Sequence, residues 1–352
     1  MDLQQTIAAV RSPCEDSRAA AYQRFSDIAM PLGSLGLLQD AVAQIAAIRR
    51  TLRPSIAKRA VVMFCADNGV VAKGVTQCGQ EVTATVTENM GRGKSSVCLM
   101  AQHIGMDSFP VDIGVVRDVQ GERILRRKIR YGTADLAKEP AMTRDEAMRA
   151  IEVGIELAEW CASQGYELLC GGEMGIGNTT TSAAVTAALT GAAVETVTGR
   201  GAGLSSEGLA RKVRVIQTAL ALHQPDPQDP IGVLHKVGGL DIAGLTGLYL
   251  GAAACGLPVV LDGVISCAAA LLAVRLCPNV HGYLLAGHHS EEPAGALLLD
   301  ALELRPFITA GMRLGEGTGA VAAVSLLDLV FAAYDGMPRF DEVGIEAYQK
   351  LT

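Results

Sequence analysis

Apolar residues in this chain occur in two patterns, short unbroken runs and longer stretches at helical spacing. The short runs are Ala60 to Ala66, Phe109 to Ile113, Leu168 to Cys170, Pro258 to Leu261 and Tyr283 to Ala286, each ending in glycine or a polar residue. Continuous rather than alternating apolar character predicts strands covered on both faces. Between them, the spacing predicts helices over roughly 81–103, 143–163, 180–189, 206–223, 243–254, 266–276 and 291–304. Thr143-Arg144-Asp145-Glu146 has the residue pattern of a capping box, so a helix should start there. This alternation implies the α/β class, an open parallel sheet with helices on both faces.

The two ends read differently, helical and without strong strand signals. Residues 1–55 and 318–352 are expected to form a small discontinuous helical domain, beside a large α/β nucleotide- and base-binding domain of residues 56–317. The uncharged run Ile242 to Leu261 is long enough to raise a membrane question, but it carries four glycines and breaks at Gly256-Leu257-Pro258. A buried helix, a turn and a buried strand are expected instead.

Composition narrows the function. Of 352 residues, 49% are hydrophobic and 19% charged, which is a chain with ample core rather than a disordered one. The net charge of -7, with no basic block beyond Arg126-Arg127-Lys128-Ile129-Arg130, argues against a nucleic-acid partner. Nine cysteines without a C-x-x-C pair read as buried thiols of a reducing compartment. The first residues show no basic segment followed by an apolar one, so a cytoplasmic protein is expected.

In an open parallel sheet, chemistry gathers beyond the carboxyl ends of the strands. Gly171 to Thr180 is a glycine-rich turn running into a helix near Asn178-Thr179-Thr180, a place suited to a phosphate, with Gly175 and Gly177 allowing close approach. Gly199-Arg200-Gly201-Ala202-Gly203 is a second such loop, with Lys212 on the following helix. Two better-known phosphate motifs fail: Gly93-Lys94-Ser95 resembles the end of a P-loop, but Glu88 occupies the required glycine position, and Asp67-Asn68-Gly69 stands where a Rossmann fingerprint would open. His288-His289 lacks the spacing of a metal pair, so no metal is expected. Ser290 sits at a strand end, where its hydroxyl could hold a phosphate or cap a helix. Glu316 stands between Gly315 and Gly317, which suits a carboxylate displayed as a general base; a solvated loop glutamate is the alternative. Glu173, also among glycines, is the second candidate carboxylate.

Taken in order, these motifs resemble those of the nicotinate-nucleotide:dimethylbenzimidazole phosphoribosyltransferase family, which activates the lower-ligand base of cobamides. The series comprises Pro31-Leu32-Gly33-Ser34-Leu35-Gly36, Cys65-Ala66-Asp67-Asn68-Gly69-Val70, Glu173-Met174-Gly175-Ile176-Gly177-Asn178-Thr179-Thr180, Lys236-Val237-Gly238-Gly239, Leu261-Asp262-Gly263, His288-x-Ser290 and Arg313 to Ala320. The resemblance implies a parallel α/β domain with a small helical domain, a dimer with a second copy or a paralogue, and neither metal nor redox cofactor. It also implies a reaction in which an aromatic base attacks C1′ of nicotinate mononucleotide and nicotinate leaves, giving an α-ribotide. Carried onto this chain, Glu316 is the general base and Glu173 orders the site. Gly175, Gly177, Asn178, Thr179, Gly201, Gly203, Lys212, Ser290 and Gly315 would hold the nucleotide, and Cys78, Gln80, Val86 and Met174 the incoming base.

The departures fall where the base should bind. Across Thr76 to Val86, hydrogen-bonding Ser and Gln positions of the family become Cys78 and Val86, and Asn68 replaces a histidine. A benzimidazole nitrogen facing them loses polar partners, whereas a smaller or more apolar nucleophile loses less. Acceptance of a phenol such as p-cresol, as some relatives show, is therefore expected. A catalytically weak paralogue supporting an active partner is the rival reading, and the intact Glu316 and phosphate loops argue against it.

Overall fold

The computed structural model describes residues 1–349. Six strands, β1 (Arg59–Ala66), β2 (Asp107–Gly114), β3 (Leu125–Arg126), β4 (Leu168–Met174), β5 (Val259–Leu261) and β6 (Leu284–Ala286), form one sheet. All neighbours are parallel, in the order β3-β2-β1-β4-β5-β6. That order reverses between β1 and β4, so a crevice opens beyond their carboxyl ends. The sheet is the predicted one with a single addition: β3 is two residues long, too short to leave an apolar run.

All of β1 is buried, and its side chains divide between two cores. Ala60, Val62, Phe64 and Ala66 face one, and Val61, Met63 and Cys65 the other, as the two-residue period requires. On the first face lie helices Arg144–Ser163, Asn178–Thr190, Leu240–Ala254 and Val264–Leu276. On the second lie Glu15–Asp27, Leu37–Arg49, Glu81–Gly91, Ser96–His103 and Thr318–Gly336. Residues from both ends of the chain thus share a layer: Arg24 Nε donates to the Tyr334 carbonyl (3.0 Å), Ala29 N donates to Pro338 O (3.0 Å), and the Phe25 and Tyr334 rings lie 4.8 Å apart. The first helix, Leu3–Ala9, packs across the sheet from them, with Leu3 in the other core. Residues 350–352 of the expected helical domain fall outside the described residues.

The capping box forms as its residues predict, Thr143 Oγ1 accepting from Glu146 N (3.1 Å) while Glu146 accepts from Thr143 N (2.8 Å). The run 242–261 folds as a helix ending at Ala254, a turn with Gly256 at φ +69° and strand β5. Its glycines let two helices meet backbone to backbone: a Cβ on Gly247 would strike Ile151 O, and one on Gly154 the Gly244 carbonyl. One described helix, Thr318–Gly336, is long and apolar enough to cross a membrane, and it packs against Leu37–Arg49 and strands β4 and β5.

The expected single helix over 81–103 is two. Gly93 takes φ +69°, Lys94 N returns to Asn89 O (2.8 Å), and Ser95 restarts the chain by accepting from Cys98 N (3.4 Å). The residues that resemble a P-loop are this break, and it sets a fresh helix N-terminus beside the crevice.

Candidate active site

Three strand ends and the loop before Thr318–Gly336 enclose a cavity of about 260 Å³. Glu316 enters it from a loop in which Gly315, Glu316 and Gly317 have φ of +86°, +64° and +102°. A left-handed glutamate is strained and persists only where its surroundings hold it. Here Val97 N, in the first turn of Ser96–His103, donates to Glu316 Oε2 (3.2 Å), and Glu316 N donates to Glu173 Oε1 (3.4 Å). Burial raises the Glu316 carboxyl above its ordinary range, against the Val97 N–H and the Ser95 hydroxyl, which lower it.

Glu173, at the end of β4, is buried beneath that loop. Burial, with the negative charges of Asp241 and Asp262, pushes its carboxyl up to about 8. Asn178 donates through Nδ2 both to Glu173 Oε2 and to Asp241 Oδ2, the latter at 3.0 Å, and burial raises Asp241 to about 6. Asp262, just after β5, accepts from Gly317 N (3.1 Å), Gly319 N (2.7 Å) and Ala320 N (3.3 Å), so it fixes the helix start immediately after Glu316. His288 Nε2 lies 3.4 Å from Asp262. Burial alone would lower the imidazole, but the pairing with Asp262 outweighs it and the pKa is raised.

The glycine turn lines the same cavity. Gly177 has φ +92° and, as the N-cap of helix Asn178–Thr190, offers no side chain to cap it, while Asn178 in the first turn points at the two carboxylates. A Cβ on Gly175 would strike Ala66 O. Lys212, fully buried, donates through Nζ to Thr179 Oγ1 (2.8 Å) and Gly199 O (3.1 Å), tying the two glycine loops together. Burial lowers its pKa to about 8. Its hydrogen bonds go to neutral acceptors and the Glu292 carboxylate offsets part of the burial, so a further anion nearby would favour the charged ammonium.

The cavity brings together Glu316, Glu173, Gly175, Gly177, Asn178, Thr179, Gly201, Ser290, Gly315, Val86 and Met174 from the sequence set. Lys212 stands behind the wall, and Gly203 outside it, where Gln77 Nε2 donates to its carbonyl. Cys78 and Gln80 are also off the wall: the Cys78 thiol lies 3.7 Å from the Thr76 hydroxyl, and Gln80 Nε2 donates to Asn68 O (3.3 Å). Asn68 donates to Ile176 O (3.3 Å), joining the β1 turn to the glycine turn. Sequence reasoning gave no role to Asp241, Asp262 or His288. Their signal was faint, a lone acid ahead of an apolar helix and polar residues at two strand ends. Among the described residues no group of three metal-ligating side chains converges.

A reversed-order parallel sheet with paired glycine loops, a buried lysine and a carboxylate on the cavity wall is an arrangement suited to a nucleotide-handling transferase. Residues 10–345 match the family model described as phosphoribosyltransferase. The nicotinate-nucleotide–dimethylbenzimidazole phosphoribosyltransferase of Acetivibrio thermocellus is 45% identical over 345 residues, 98% of each chain, and that of Chloroflexus aggregans 47% over 345 residues, covering 97% of this chain and 98% of the relative. The crystal structure of CobT from Thermus thermophilus superposes with a TM-score of 0.90 at 40% identity, covering 95% of this chain and all of that one. The chain belongs to the nicotinate-nucleotide–dimethylbenzimidazole phosphoribosyltransferase family, a family of pentosyltransferases.

Proposed function

We propose that this protein moves the 5-phosphoribosyl group of nicotinate mononucleotide to an aromatic base, with dimethylbenzimidazole, named in its relatives, as the first acceptor to test. The observation that carries the reading is Glu316 on the wall of the same small cavity as the glycine turn at Asn178, both bonded to Glu173. The phosphate sits at Gly175 to Thr179, with Gly201 and Ser290 around it, Gly315 alongside and Lys212 supplying charge from behind, while Gly203 closes the second loop outside the cavity. The acceptor's lone pair attacks C1′, and the bond to nicotinate breaks with its electrons going to the pyridine nitrogen, which neutralises the pyridinium. The acceptor's proton passes to Glu316, and C1′ inverts. Nicotinate is already an activated leaving group, so orientation, a proton acceptor and a water-poor pocket are what the protein must add. Glu173 holds the Glu316 backbone.

A phenolic acceptor forming an O-glycoside is the second reading, favoured by the apolar side of the cavity, where Val75, Val86, Met174 and Leu314 gather. Gln80 and Cys78 would reach either acceptor only if the loop before Glu81 shifted. The proposal also includes a dimer with a second copy or a paralogue and a cytoplasmic setting, supported by nine unpaired thiols. It treats 56–317 as the unit that binds substrates and the two terminal segments as its support.

The test offers nicotinate mononucleotide with dimethylbenzimidazole, phenol or p-cresol, and follows nicotinate and ribotide by mass spectrometry, with Glu316→Gln in parallel. Base-dependent nicotinate release that needs Glu316 is the expected result. Ribotide from dimethylbenzimidazole alone would remove the phenolic reading. Silence with every acceptor would overturn the activity and favour a supporting subunit.

A further inference from the structure

A second cleft lies away from this site. It measures about 510 Å³ and opens at the amino-terminal side of β5, beside Cys255 and Gly256, whereas the catalytic cavity begins after β5 at Asp262. Its size falls within the ~300–1,000 Å³ common for small-molecule sites. Three guanidinium groups line it, from Arg11, Arg49 and Arg50, and no carboxylate does. Among the described residues none of the three forms an ion pair, in a chain whose net charge is -7. Glu159, the carboxylate near Cys255, is held by the Met1 ammonium at 2.9 Å.

Helix ends explain only part of this arrangement. Arg49 donates to Gly256 O (3.1 Å) and Arg50 to Ser12 O (2.8 Å), single bonds from groups with five donors each. Arg11 gives its side chain to no protein acceptor among the described residues, while its carbonyl accepts from the Tyr283 hydroxyl (2.7 Å). Arg50 takes φ +52° as the left-handed C-cap of Leu37–Arg49, which turns the chain at the cleft edge. Between the arginines the floor is apolar, formed by Ile48, Ala253 and Ala254.

We propose that this cleft is a second binding site, for a phosphorylated small molecule whose phosphate lies among Arg11, Arg49 and Arg50 and whose apolar body rests on Ile48 and Ala253. Guanidinium forks match phosphate oxygens in geometry as well as charge. The site is independent of the reaction assigned to Glu316.

Two measurements test it, with tungstate and inorganic pyrophosphate as probes. Crystals soaked in tungstate should show anomalous density among the three arginines, separate from any at Gly175 to Thr179. Pyrophosphate titrated calorimetrically against the full chain should reveal a site that weakens at least tenfold in Arg11→Gln combined with Arg50→Asn, and that is unmoved by Ser290→Ala. Asparagine tolerates the left-handed backbone, and Arg11 carries no side-chain bond, so Arg11→Gln alone serves as the variant that keeps the fold. Density confined to the catalytic cavity, density without a solution counterpart, or unchanged binding in the variants would overturn the proposal.

Discussion

At the scale of single residues, the candidate site gathers carboxyl groups, Glu173, Asp241 and Glu316, whose burial raises them above their usual titration range. As the proposed base, Glu316 must be ionised to work, and burial has raised its pKa. The kcat/KM profile should therefore climb with pH through a point above 4.5 and then level, while Glu316→Gln loses that limb and falls ~10²–10⁴-fold. Steady-state kinetics between pH 4.5 and 9 check both. Glu173 gives a stability signature instead. Folded, it keeps its proton up to about 8; unfolded, it releases it near 4.5, so the folded state binds more protons in between. Stability should consequently fall as pH rises through that window, and Glu173→Gln should flatten the fall. Urea midpoints at pH 5 and pH 8 for both proteins decide it, and equal slopes would remove Glu173 as the cause.

At the scale of elements, position comes from strand ends and helix starts. Asp262 serves three backbone N–H groups at the start of Thr318–Gly336, two residues after Glu316. Asp262→Ala should cost about 1–3 kcal/mol of stability by leaving those donors unpaired, and should lower kcat more than it raises KM. Denaturant melts with paired kinetics would show it, and a variant of unchanged kcat would separate the helix start from the catalytic loop. The contact between Arg144–Ser163 and Leu240–Ala254 makes a different demand. A methyl at Gly154 or Gly247 meets backbone atoms of the opposite helix, so Gly154→Ala or Gly247→Ala should destabilise by about 1–3 kcal/mol, read as a lower urea midpoint at unchanged slope. What the chain disclosed in advance follows the same division. Strands buried on both faces leave unbroken apolar runs, and glycine turns and a carboxylate flanked by glycines are local features, so β1, β2, β4 and Glu316 were legible. Asp241 meets Glu173 only through Asn178, and Asp262 meets His288 only across strand ends; such pairings have no local signal. The break at Gly93 was missed because apolar periodicity continues through it, although its glycine and serine are the usual stop and start residues.

Over the whole molecule, the nine thiols report how completely the two cores are sealed. None is paired; Cys65, Cys98, Cys161, Cys170, Cys267 and Cys277 are buried, and Cys14, Cys78 and Cys255 are half-exposed. Burial also raises the thiol pKa values, to about 12 for Cys161 and Cys267 and higher for Cys65 and Cys170. A disulfide reagent consumes thiolate, so those residues are protected twice, by access and by protonation. Native protein at pH 8 should thus yield no more than three fast-reacting thiols, and all nine in 6 M guanidinium chloride, counted with a chromogenic disulfide. Since no bridge supports the fold, a reductant should leave the melting temperature where it was. The six slow thiols should react only at the rate of opening, so urea below the transition should accelerate them together. A subset reacting early would instead mark one sheet face as opening alone. The second face, where Cys65, Cys98 and Cys170 lie with residues from both ends of the chain, would then be the less stable half.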